Sequence, residues 1–184
     1  MSTSTGGTLG LKLAAEFPDL VDALILYSPN IKINNSAAFL LSKPWGLQIG
    51  RKVTGSTHRV TNENFDSKDC QYWDCRYRME AVVYLQQLVE ATMKKFTFEK
   101  VKTPVFLAYY YKDETHQDET VRVDAMLEMF DKLGTGSELK VKMAFPEAGN
   151  HVIACELTSK SYREVFDETV KFAEKVLKLQ PVAE

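Results

Sequence analysis

Three side chains far apart in this 184-residue chain could together carry acyl transfer. They are Ser4, His151 and an acid, either Asp118 or Asp113. Ser4 stands in Ser2-Thr3-Ser4-Thr5-Gly6-Gly7, a small-x-Ser-x-Gly turn that runs straight into a helical pattern. A sharp strand-to-helix turn lifts one hydroxyl above a sheet edge, and only small residues fit around it. The helix behind it aims free backbone N–H groups at the same place, so the Thr5 N–H is a candidate donor to a developing oxyanion. Ser2 stands where this kind of turn usually has glycine.

His151 ends Pro146-Glu147-Ala148-Gly149-Asn150-His151, a loop between a strand pattern and a helix pattern. An imidazole there can take the Ser4 proton and return it to a leaving group, while a carboxylate holds the ring in one tautomer. Two carboxylates qualify. Asp113 lies two residues past Tyr111, a short step from a strand end. Asp118 opens Asp-Glu-Thr-Val-Arg-Val, a D-x-x-V step into the next helix, and is preferred on that ground. The chemistry would be attack by Ser4 on an ester or amide carbonyl, followed by hydrolysis of the acyl-enzyme.

The elements that must position these groups follow from periodicity. Helices are predicted over about 7–17, 77–95, 119–133 and 162–179, and strands over about 22–28, 104–111 and 137–145. Strands alternating with helices imply βαβ units and a parallel sheet covered on both faces. Ligands of such sheets sit at the carboxyl ends of the strands, where the loops carrying all three groups begin. The stretch from Pro29 to Lys100 breaks the alternation and reads as an insertion of helices and loops.

Residues Thr3 to Pro29 resemble the nucleophile elbow, helix and following strand of α/β-hydrolase esterases, in the branch of carboxylesterases, monoacylglycerol lipases and serine aminopeptidases. The resemblance extends to the C-terminus and is weakest over 35–100. It implies one α/β domain over 1–184, a partial α/β-hydrolase fold with a parallel sheet, flanking helices and a helical lid insertion at 35–100. It implies a Ser4–Asp118–His151 triad, Asp113 being the alternative acid, with the Thr5 N–H in the oxyanion hole. It calls for no cofactor and no metal, and for a small-molecule acyl ester as substrate, peptides and thioesters staying open. The family carries further strands and a second oxyanion donor ahead of the nucleophile. The chain is therefore expected to be a fragment whose strand at 22–28 has an unpaired edge, and to self-associate or require a missing N-terminal segment. A catalytically inactive fragment or subunit is the second reading.

A net charge of -2 gives no electrostatic case for nucleic acid or anionic membranes. No apolar run approaches the roughly 18 residues that span a bilayer. Three cysteines, Cys70, Cys75 and Cys155, argue against a disulfide framework and fit a reducing cytoplasm. His58 and His116 read as solvated loop residues, Cys155 as a buried small hydrophobe, and Tyr72, Trp73 and Tyr77 as core. Tyr109 to Tyr111 could line a substrate entrance but read first as core, as aromatic strand residues usually are.

Overall fold

Leu24–Tyr27 and Val105–Tyr109 are runs of four and five residues. They are too short for helices and apolar on both sides, so each needs cover on two faces. The computed structural model describes residues 1–180, apart from the side chain of Asp69. Residues 181–184 of the expected domain lie outside the described residues. The chain forms two compact units, one from Met1–Asn34 together with the chain from Thr92 onward, the other Asn35–Ala91.

The first unit opens with β1 (Ser2–Thr3), α1 (Thr5–Glu16) and β2 (Leu24–Tyr27). The second unit holds α2 (Gly46–Thr54), β3 (His58–Val60), α3 (Lys68–Tyr72), β4 (Arg76–Arg78) and nearly all of α4 (Met79–Thr92). The first unit resumes with α5 (Lys95–Lys100), β5 (Val105–Tyr109), α6 (Val123–Asp131), β6 (Lys140–Ala144) and α7 (Tyr162–Lys175). Its four strands pair in parallel in the order β1-β2-β5-β6.

All five residues of β5 are buried, and their alternation divides the core in two. Val105, Leu107 and Tyr109 pack with Leu11, Leu26, Phe98 and Met126. Phe106 and Ala108 pack with Phe145, Ile153, Val165 and Phe172 on the other side. The Phe106 and Phe172 rings stack with centroids 5.5 Å apart. The α1, α5 and α6 side chains thus cover one face, and α7 covers the other.

Several expectations change. Helix α6 starts at Val123, not near Glu119, because Asp118 Oδ1 accepts the Thr120 and Val121 N–H groups in a turn. Val121 also bridges to Ile33. The helix expected from Tyr77 starts at Met79 because Arg76–Arg78 pairs antiparallel with His58–Val60, a hairpin the apolar pattern did not indicate. Lys95–Lys100 lies with the first unit, its Phe98 in the sheet core. Strand β2 is not bare on its outer side: Ser2 and Thr3 pair with Leu26 and Tyr27. Leu24 and Ile25 have no strand-pairing partner on that side among the described residues.

Cysteine usage also differs. Cys70 and Cys75 form a disulfide and Cys155 is free and half-buried. A separation of five residues leaves the pair free to meet in a loop-rich segment, and the cysteine argument for a reducing compartment falls with it. Tyr72 and Trp73 are exposed rather than core, and Tyr77 is half-buried. Tyr109 is core. Among the described residues, no helix is long and apolar enough to cross a membrane.

Leu9, Leu13 and Phe17 fall four residues apart on α1 and its C-terminal cap, and they are exposed; Leu13 and Phe17 keep 49% and 50% of their surface in solvent. An apolar stripe of this kind favours association. Sedimentation velocity is expected to show concentration-dependent mass, and Leu13→Glu with Phe17→Glu to return the chain to a monomer. The core makes a separate prediction. Phe106→Ala should lower unfolding free energy by about 3–5 kcal/mol in urea titration. Phe166→Ala, at a side chain 66% exposed, should change it by less than about 0.5 kcal/mol.

Candidate active site

All four strands of the first unit run parallel, so their carboxyl ends share one rim. Ser4 follows β1, Asp118 lies in the loop after β5, and His151 lies in the loop after β6.

Ser4 adopts φ 52° and ψ -119°, outside the regions an L-residue prefers. Strain of this kind costs about 1–3 kcal/mol and persists only where the surroundings hold it. They do so here. The Ser4 N–H donates to the Tyr27 carbonyl at 3.1 Å, and the Ser4 carbonyl accepts the Gly7 and Asn30 N–H groups, both at 2.9 Å. Thr8 Oγ1 donates to the Asn30 carbonyl at 2.6 Å and ties that loop back to α1. Gly7 permits the close approach: a Cβ there would stand 2.5 Å from Pro29 Cβ and 3.0 Å from its Cα. Ser2 is tolerated in the usual glycine position, its Oγ lying 3.5 Å from the Ile25 carbonyl. Thr5 is the first residue of α1, where backbone N–H groups lack intrahelical acceptors.

His151 Nδ1 lies 2.7 Å from Asp118 Oδ2. The Asp118 side chain is fully buried and the His151 side chain is 13% exposed. The other Asp118 oxygen accepts the N–H groups of Thr120 at 2.9 Å and Val121 at 3.0 Å. A buried carboxylate needs such partners, because desolvation without them is costly. Gly149, at φ 67°, supplies the left-handed step that turns the loop toward His151.

Asp113 is placed elsewhere. It is exposed and pairs with His116, its Oδ1 2.9 Å from Nδ1. The Thr115 hydroxyl, then His116, hold its carboxyl below the usual carboxylate range. The structure thus brings Asp118, and not Asp113, to His151. It does not join Ser4 to His151. Among the described residues Ser4 makes no side-chain hydrogen bond, and His151 Nε2 is buried without a partner. A polar cleft of about 210 Å³ beside His151 is lined by Asn150, Tyr110 and residues of the Asp118 loop.

Two residues of this rim were not singled out from the sequence. Ser28, at φ 42°, and Asn30 are both buried. Ser28-Pro29-Asn30 reads as chain punctuation, and its positioning role runs through backbone groups that carry no residue-type signal. The only hint is the proline, which supplies the surface against which Gly7 packs.

Solved structures resemble this chain. One comes from the work on LipS and LipT, two metagenome-derived lipolytic enzymes, at TM-score 0.68 and 13% identity, covering 94% of this chain and 63% of its own. The monoacylglycerol lipase of Paleococcus ferrophilus gives 0.61 and 17%, covering 92% and 66%. A soluble variant of the Saccharomyces cerevisiae monoglyceride lipase gives 0.62 and 13%, covering 94% and 63%. The chain therefore spans less than two thirds of the length of these structures. No protein-family model and no curated protein sequence matches it. The chain has part of an α/β-hydrolase fold.

The turn at Ser4 can be tested by substitution. Gly7→Ala should lower stability by about 1–3 kcal/mol, through the clash with Pro29. Gly10→Ala meets the flexible Leu24 Cδ2 at 3.3 Å and Ser2 Oγ at an ordinary contact distance of 3.6 Å and gains helix propensity, so it should be neutral or stabilising by up to about 1 kcal/mol. Urea midpoints of the two variants compare them directly.

Proposed function

We propose that this chain carries the catalytic centre of a serine hydrolase that cleaves carboxylic esters. Ser4 is the nucleophile, His151 its general base and acid, and Asp118 the group that orients the imidazole. The observation that carries the reading is the 2.7 Å contact between a wholly buried Asp118 and His151 Nδ1. A carboxylate on Nδ1 places the acceptor lone pair on Nε2, the nitrogen left without a partner.

The steps follow. His151 Nε2 takes the Ser4 proton as Oγ attacks the substrate carbonyl. The Thr5 N–H stabilises the oxyanion of the tetrahedral intermediate. The imidazolium gives its proton to the leaving alcohol oxygen, and an acyl-enzyme remains. Water, deprotonated by His151, attacks the acyl carbon, and Ser4 leaves with its proton restored. The lipase names of the structural neighbours support an ester bond. We also read Asn35–Ala91 as the counterpart of a lid insertion.

A second reading, a non-catalytic fragment or a subunit needing a partner segment, is favoured by one observation: the chain spans about 63% of the solved chains it resembles.

A fluorophosphonate probe separates the two. Wild type is expected to be labelled and Ser4→Ala not. Asp118→Asn should label roughly 10⁴-fold more slowly, because it favours the wrong imidazole tautomer, while Asp113→Asn should label at the wild-type rate. An unlabelled but folded wild type would select the second reading.

A further inference from the structure

The second unit contains a cavity of its own, about 260 Å³ in volume, with little polar surface. Leu41, Ile49, Val53 and Val82 are among its walls. Gly50 makes the room, since a Cβ there would meet Met79 Sδ at 3.1 Å and Leu41 Cδ2 at 3.2 Å. One charged residue, Arg59, is among the described residues that line it.

Arg59 differs from Arg51 and Arg78 in how its charge is met. Arg51 and Arg78 share Glu80, at 2.9 and 2.7 Å. The Arg59 guanidinium lies over the Tyr77 ring, 6.0 Å from its centroid, and has no carboxylate partner among the described residues. Contact with a ring face leaves guanidinium N–H groups available for a carboxylate. An acid-free apolar slot with one unneutralised fork of donors matches an alkyl chain that ends in an anion.

We propose that the second unit binds a medium-chain fatty carboxylate, its chain in the cavity and its head on Arg59. At roughly 30 Å³ per group, the share of volume a water molecule takes, the cavity of about 260 Å³ holds about nine carbons. The whole site lies within Asn35–Ala91 and uses none of Ser4, Asp118 or His151, so it stands apart from the proposed catalysis. It does match the acid that ester hydrolysis releases.

Isothermal titration calorimetry on the full chain tests this, with decanoate below its micelle concentration. Saturable one-to-one binding is expected for wild type and equally for Ser4→Ala. Arg59→Gln should weaken it about tenfold or more, as loss of a charged hydrogen-bond partner does, and decan-1-ol should bind wild type more weakly by a similar factor. Gly50→Leu should remove binding, with circular dichroism reporting its fold. Arg59 is exposed, so its variant decides the matter if Gly50→Leu does not fold. No saturable binding by wild type, undiminished binding in Arg59→Gln, or loss in Ser4→Ala would each overturn the proposal. Failure of fluorophosphonate labelling would leave these results unchanged, so the two readings fail separately.

Discussion

A carboxylate removed from water must be met by donors, and Asp118 meets this demand with three. Its Oδ2 faces His151 Nδ1, and its Oδ1 takes the Thr120 and Val121 N–H groups. Those two backbone bonds fix the loop after β5 and delay the start of α6 until Val123. The third reaches across to the loop after β6. Because β5 and β6 are parallel neighbours in register from Val105↔Lys140 to Tyr109↔Ala144, the two loops leave the sheet side by side. Removing one partner from such a group leaves an uncompensated buried polar site, which is more costly than the net worth of the bond.

The serine turn is held by a different means. Among the described residues nothing charged fixes Ser4; its unfavourable backbone is held by bonds from Gly7 and Asn30 to its carbonyl and by the missing side chain at Gly7. The hydroxyl therefore sits on a rigid frame supplied by β1, β2 and α1, while the imidazole sits on one supplied by β5 and β6. In the acyl transfer proposed above, a hydroxyl and an imidazole held in this way would need little reorganisation as charge develops.

Much of this was legible in the residues. The alternation of apolar runs and helical stripes indicated a parallel sheet, since period and run length reflect which faces are buried. Ser4-Thr5-Gly6-Gly7 showed its turn because small residues are a steric necessity there. The D-x-x-V step favoured Asp118 over Asp113, and the turn that Asp118 closes onto Val121 is the physical content of that spacing. Other features left no trace. His58–Val60 and Arg76–Arg78 pair as strands although both are short and charged, so no period distinguishes them from loop. Cys70 and Cys75 sit at a spacing compatible with bonded or free thiols alike. Asn30 acts through its main chain, which every residue shares.

Asn35–Ala91 has its own apolar cavity and its own ion pairs. The account as a whole turns on the His151 nitrogen that faces away from Asp118. The most direct measurement is a crystal structure of the chain after reaction with a phosphonate ester. The account predicts a covalent bond from phosphorus to Ser4 Oγ, with His151 Nε2 within about 3 Å of an oxygen of the adduct and Nδ1 still on Asp118. An adduct on another residue, or an imidazole turned away from Ser4 with Asp118 left alone, would contradict it.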